Sequence, residues 1–258
     1  MILEEKDLSS HINSTIMHKD ILIIPDVHGR SFWKKAVGEH HCEHVVFLGD
    51  YLDPYPQEHI ENEQAITNFQ EIIDYKLNHE ETTTLLIGNH DMHYCSELFA
   101  DLAMGSRYSN RYAMRYKQLF HQHAHLFQLA YEATYDGVRC LLTHAGVSTT
   151  WHRRYTTLPA HFSASDLNRL MDSPEGIESL ARIGGIRGGW DRAGSILWAD
   201  WHEIDHDDPL EGWYQIFGHT QQESTPVITT HFACIDCRKA FTLSEVLRMA
   251  QDISSKTK

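Results

Sequence analysis

The chain has 258 residues, 41% hydrophobic and 22% charged, with a mean hydropathy of −0.43 and a formal net charge of −14. Its length supports one substantial hydrophobic core, and its longest strongly apolar stretches, such as Ile21–Ile24 and Val45–Leu48, fall far short of the roughly 20 residues of a membrane span. The negative charge argues against a broad electrostatic grip on nucleic acid.

Taken in order, the apolar runs are short and strand-like. Residues 1–19 carry two Glu, an Asp and no apolar core of a signal peptide, so they read as an N-terminal extension and the chain as cytoplasmic. Asp20–Pro25 predicts a strand, Ser31–Glu39 a short helix and Val45–Leu48 a second strand. Ala65, Ile66, Phe69, Ile72, Ile73 and Leu77 recur at helical spacing over Asn62–Leu77. Thr83–Ile87 follows as a strand, and 97–130 as two or three helices broken near Gly105. Arg107, Arg111, Arg115 and Lys117 in that stretch read as a solvated helix face, with a local basic pocket that lends an arginine to the phosphate as the alternative. Tyr131–Tyr135 and Val138–Thr143 flank Asp136-Gly137, a hairpin signal. Residues 148–182 read as mainly helical with a stop near Ser173-Pro174, and Gly184–Gly194 as a glycine-rich loop. Strands are expected at Ile196–Trp198, Tyr214–Phe217, Val227–Thr230, Phe232–Ile235 and near Ala240–Leu243, before a frayed polar tail over 246–258. Alternating helices and strands followed mostly by strands imply an α/β sandwich of two packed sheets, with 20–245 as one domain. The five cysteines are odd in number and scattered, as in a reducing compartment. Cys234 and Cys237 have C-x-x-C spacing without a second pair and read as buried strand residues.

Five of these segments share one plan, an apolar strand that breaks into a turn carrying polar side chains. They are ILIIP-Asp26-Val-His28-Gly, VVFL-Gly-Asp50-Tyr-Leu-Asp53, LLI-Gly-Asn89-His90-Asp91, CLLT-His144-Ala-Gly and QIF-Gly-His219-Thr. Open α/β sheets build sites at the carboxyl ends of their strands, where five such loops can converge. Asp26 and His28, two apart in extended chain, leave the same face and can hold one metal ion. Asp50 can offer two oxygens and bridge two ions, with Asn89, His144 and His219 completing the second set. Carboxylate, amide and imidazole ligands together suit Mn²⁺, Fe or Zn²⁺.

These segments resemble the metal-binding motifs of the calcineurin-like metallophosphoesterase superfamily: D-x-H, G-D-x-x-D, G-N-H-[DE], H-x-G and G-H. Leu126–Val147 and Ser195–Asp200 (SILWAD) are similar to segments of its phosphoprotein phosphatase group, including the bacterial and phage members. The likeness spans about residues 20–243, with the motifs in family order. It implies a four-layer α/β/β/α sandwich of two mixed sheets and two divalent ions, Mn²⁺ first and Fe or Zn²⁺ as alternatives. The implied mechanism is direct in-line attack by a metal-bridging hydroxide. His90 is then the group that protonates the leaving oxygen, and Asp53 the carboxylate that orients it.

The chain departs from the pattern where the phosphatase group has an arginine after the second Asp, because Asp53 is followed by Pro54-Tyr55. Residues 199–218 also lack the second phosphate-binding arginine of eukaryotic members. Arg187, in the glycine-rich loop just before SILWAD, is the expected substitute. The expected function is hydrolysis of phosphate monoesters, on protein phosphoserine or phosphothreonine or on small metabolites. The alternatives are a diadenosine-tetraphosphate-type hydrolase, a nuclease, which the −14 charge disfavours, and a binding scaffold, which the full ligand set disfavours.

Overall fold

A computed structural model describes residues 20–104, 106–206 and 210–256, so the expected extension over 1–19 and Gly105 lie outside the described residues. The strands are β1 (Ile21–Ile24), β2 (His44–Phe47), β3 (Thr83–Leu86), β4 (Phe127–Gln128), β5 (Ala130–Tyr135), β6 (Val138–Thr143), β7 (Tyr214–Phe217), β8 (Val227–Ile228), β9 (Phe232–Cys234) and β10 (Phe241–Thr242). They form two mixed five-stranded sheets, ordered β10-β1-β2-β3-β4 and β5-β6-β7-β9-β8.

The first sheet is built from three crossovers, the first two of which join β1 to β2 and β2 to β3. β1, β2 and β3 are parallel, with Ile23 opposite Val46 and Val46 opposite Thr84. Parallel neighbours need a long connection, and the helices Phe32–Glu39 and Asn62–Asn78 supply it. The carboxyl ends of the three strands therefore share one edge. In the second sheet, β5 and β6 are joined by Asp136 (φ 48°) and Gly137 (φ 77°), the left-handed pair of a tight hairpin. β6, β7 and β9 are parallel, so their carboxyl ends also share an edge.

Strand alternation sorts the apolar side chains into layers. Leu22, Ile24, Val45, Phe47 and Leu85 pack with Trp33, Ile66, Phe69, Ile72 and Ile73 of the two crossover helices. Ile21, Ile23, Val46 and Leu86 point the other way and meet Cys140, Leu142, Tyr214, Ile216 and Ala233 between the sheets. The far face of the second sheet is covered by Trp151, Leu167 and Leu180 over Leu141, and by Ile204 with Phe217 and Phe232. Both sheets are thus buried on both faces, the arrangement expected for a sandwich flanked by helices.

Three expectations differ. Ile196–Trp198 is a turn rather than a strand, because Ser195 captures it: its carbonyl accepts from Trp198 N at 2.8 Å and its Oγ from Leu197 N at 3.2 Å. The frayed tail is instead the helix Leu243–Lys256, with Val246, Leu247 and Ala250 buried. Its start is a capping box, Thr242 N donating to Glu245 Oε2 at 2.9 Å and Glu245 N to Thr242 Oγ1 at 3.3 Å. Ser173-Pro174 opens a helix, Pro174–Leu180, as well as closing the turn before it, with Ser173 accepting from Gly176 N. Cys234 and Cys237 are buried free thiols, the former in β9 and the latter just beyond it.

Candidate metal centre

The five strand-to-turn segments meet at the common edge of the two sheets. Asp26, His28, Asp50, Asn89 and His144 are each at most 3% exposed. One group, Asp26, His28 and Asp50, places its ligand atoms within 4.8 Å of one another, and so does a second, Asp50, His144 and His219. Asp50 belongs to both. Asn89 joins the second group through Oδ1, 3.0 Å from His144 Nε2.

The hydrogen bonds around the imidazoles fix what these atoms offer. His28 Nδ1 donates to the Leu52 carbonyl at 2.8 Å, so its Nε2 carries a bare lone pair. That lone pair faces Asp50 Oδ2 at 3.4 Å and Asp26 Oδ2 at 3.9 Å. His144 Nδ1 donates to the Leu48 carbonyl at 2.9 Å, and its Nε2 faces Asn89 Oδ1 at 3.0 Å and Asp50 Oδ1 at 3.7 Å. Among the described residues, His219 Nε2 is buried without a hydrogen-bond partner. Burial holds His28 and His219 well below the usual imidazole range, with His90 and Arg187 respectively adding to the effect, and burial lowers His144 as well. All three are therefore neutral. Asp50 is pushed well up by burial and by Asp26 and Asp91 beside it. Acceptors converging on two points, with surplus buried negative charge, fit two divalent cations.

The backbone is bent to achieve this. His28, Asp50, Asp53 and His219 have φ of 44°, 53°, 57° and 64°, in the left-handed region that side chains rarely adopt. Asp91 offsets part of that strain: its carboxylate accepts from the N–H groups of Asp50 (2.7 Å), Tyr51 (3.0 Å) and Gly88 (2.8 Å), pinning the Asp50 turn. Two glycines make room for the carboxylates, since a Cβ at Gly88 would lie 2.1 Å from Asp50 Oδ1 and one at Gly218 would lie 2.2 Å from Asp26 Oδ1. Gly218→Ala should therefore leave the circular dichroism spectrum intact and weaken the first metal by about 10–100-fold. Calorimetric Mn²⁺ titration of the variant measures it, and wild-type affinity would refute the packing argument.

His90 Nδ1 lies 2.9 Å from Asp53 Oδ2 and donates to it, while Tyr94 OH donates to the other oxygen at 2.5 Å. This holds the ring at the mouth of the centre, 8% exposed, edge-on to His28 at 5.2 Å between centroids. Arg187 reaches the opposite end: Nη2 pairs with Asp200 Oδ2 at 3.0 Å and donates to Thr220 Oγ1, next to His219. Every site residue read from the sequence is thus brought to one place. Arg107 was misassigned. Arg115 and Lys117 pair with Glu63 and Glu97 at the surface, as expected of a solvated face. Residues 106–112 are not helical, however, and Arg107 turns inward, with Nη2 3.2 Å from His28 Nε2 and 3.4 Å from His90 Nε2. The sequence signal for Asp91 was its place in the G-N-H-D run; Arg107 had only its place in a basic cluster, and Tyr94 had none.

The model of the calcineurin-like phosphoesterase family matches residues 19–223. No curated protein matches the chain. A solved structure described as a cold-active protein tyrosine phosphatase is similar in fold, with a TM-score of 0.56 and 16% identity over 87% of this chain and 73% of the other. A protein serine/threonine phosphatase from Saccharomyces cerevisiae, described as similar to human phosphatase PP5, has a TM-score of 0.48 and 14% identity, over 86% and 68%.

Proposed function

The chain belongs to the calcineurin-like phosphoesterase family and is a metal-dependent phosphoesterase, and we propose that its reaction is the hydrolysis of phosphate monoesters, on protein phosphoserine or phosphothreonine or on small phosphorylated metabolites. The observation that carries this reading is the pair of acceptor clusters sharing Asp50, with one hydrogen-bonded imidazole, His90, beside them.

Asp26, His28 and Asp50 would hold one ion, and Asp50, Asn89, His144 and His219 the other, with Mn²⁺ the ion we propose. When bound, such a pair supplies Lewis-acid stabilisation of the phosphoryl oxygens and a nucleophile from water at neutral pH. The chain's own residues do the rest. His90 Nε2 gives a proton to the departing ester oxygen, so that water and phosphomonoester become alcohol and inorganic phosphate. Asp53 accepts from Nδ1–H and keeps the ring in place. Tyr94 fixes Asp53 from the other side. Arg187 retains a buried Nε–H with no hydrogen-bond partner among the described residues, a donor for a phosphoryl oxygen.

The test is a panel of phosphomonoesters, phosphodiesters and dinucleotide polyphosphates, assayed after chelation and re-addition of Mn²⁺, Zn²⁺, Fe²⁺ or Mg²⁺. Phosphate release from monoesters, restored best by Mn²⁺, is the expected result; turnover of dinucleotide polyphosphates alone would replace the monoester reading. Arg187→Ala should lower kcat/KM by about 10²-fold with metal content unchanged, and Arg187→Lys should recover little, since an ammonium cannot reproduce the planar fork. Steady-state kinetics beside Arg182→Ala and Arg192→Ala check this. Wild-type kinetics in Arg187→Ala would move the role elsewhere.

A further inference from the structure

Directly after Asp53 stand Pro54 and Tyr55, neither of which carries a charge, yet a guanidinium occupies the space beside that turn. It is supplied by Arg107, 54 residues on in the chain, whose Nε donates to the Asp53 carbonyl at 2.9 Å. Its Cζ lies 3.6 Å from the centroid of the Tyr55 ring, and that ring stands edge-on to His28 at 5.0 Å. The chain on its far side is tied to the same carboxylate, Ser109 N donating to Tyr94 OH at 3.0 Å and Tyr94 OH donating to Asp53 Oδ1.

The charge balance of this guanidinium sets it apart. Arg30 pairs with Glu58, Arg115 with Glu63, Arg182 with Glu178 and Arg187 with Asp200. Among the described residues, no carboxylate side chain lies within ion-pair distance of Arg107. What Nη2 meets instead are the Nε2 atoms of His28 and His90, at 3.2 and 3.4 Å. A half-buried, ring-stacked cation without a counter-anion, held at the mouth of a phosphoesterase site, is matched by a dianionic phosphoryl group.

We propose that Arg107 grips the phosphoryl group at the His28–His90 end of the centre, and that Tyr55 is the positioning residue that holds its guanidinium flat. This rests on the reading of the chain as a phosphomonoesterase. Tyr55 thereby gives the departure at Pro54-Tyr55 a purpose: the turn offers an aromatic platform, and a distant segment delivers the charge to it. Arg107 then faces the leaving-group side, next to His90, while Arg187 serves the His219 side.

The experiment uses the Mn²⁺-loaded full-length protein with two readouts, calorimetric binding of inorganic phosphate and steady-state hydrolysis of a phosphomonoester, with metal content measured throughout. Arg107→Ala should weaken phosphate binding by about 10-fold or more and lower kcat/KM by about 10²-fold, with two ions per chain retained. Arg107→Lys should recover little of either. Tyr55→Phe keeps the ring and should stay near wild type, whereas Tyr55→Leu should lose about 3–10-fold in phosphate affinity. Arg111→Ala, which removes an exposed charge from the same segment, serves as the control. Wild-type phosphate affinity in Arg107→Ala, or loss of metal in that variant, overturns the proposal, and wild-type affinity in Tyr55→Leu overturns the positioning role. If no monoester is turned over while phosphate binding still depends on Arg107, the substrate reading fails and the anion contact stands.

Discussion

Asp50→Asn should reduce metal content below two ions per chain and lower turnover by about 10³-fold or more, because one side chain serves both candidate ion positions. The substitution is nearly isosteric, and the new amide can still accept from His90 N through the oxygen that now does so at 3.0 Å. The other oxygen becomes an NH₂ group facing His28 Nε2, now 3.4 Å away, and it would donate to the lone pair needed for ligation. The stability readout separates this from simple misfolding. In the presence of chelator the variant should melt no lower than wild type, since it loses a buried charge that Asp26 and Asp91 oppose. Wild type should gain thermal stability from added Mn²⁺ by mass action, and the variant much less. Two ions per chain and an undiminished Mn²⁺-induced rise in Tm would sink the shared-ligand assignment.

For His90, the expected result is a loss of about 10²–10⁴-fold in kcat on replacement by Asn, with metal content nearly intact. The ring is within reach of the centre but is not a member of either ligand group. The loss should shrink for substrates with a good leaving group such as nitrophenolate, which needs little protonation. Asp53→Asn should behave in the same way. Its amide can present only one oxygen, whereas the carboxylate now accepts from both His90 Nδ1 and Tyr94 OH. One of those two protons is left facing an NH₂ group, so the imidazole is no longer held in place from that side. Equal losses for good and poor leaving groups in both variants would remove the general-acid role.

How much of this was legible in the sequence follows from how far each determinant reaches along the chain. β1, β2, β3, β6 and β7 were readable because each is a short apolar run ended by its own turn, and the ligands ride on those turns. Asp26, His28, Asp50, Asn89, His144 and His219 needed only that the strands be parallel within each sheet and that their ends meet. The helix Leu243–Lys256 was misread although its signal is local: Thr242 and Glu245 form the cap, and Leu243, Val246, Leu247 and Ala250 make an apolar stripe. Polar residues between the stripe positions hid the period. Arg107 was beyond local reading, because its place is set by the Asp53 carbonyl and the Tyr55 ring. Ile196–Trp198 has the composition of a strand, and a single serine turned it aside.

The candidate centre lies on a seam, with Asp26, His28 and Asp50 on turns and Asn89 at the start of the helix Asn89–Cys95 on the first sheet's side, and His144 and His219 on turns from the second. One hydrogen bond, His219 N to Asp26 Oδ1 at 2.9 Å, stitches residues 193 apart across it. The order of ligands along the chain then becomes an order in time. A ribosome delivers residues 26, 28 and 50 early, as one compact group from adjacent parallel strands, so the first ion set can assemble while most of the chain is unmade. The second set waits for residue 219, late in synthesis. Until that residue arrives, Asp26 lacks the backbone N–H that meets its Oδ1, and the centre completes itself only when the two sheets close on each other.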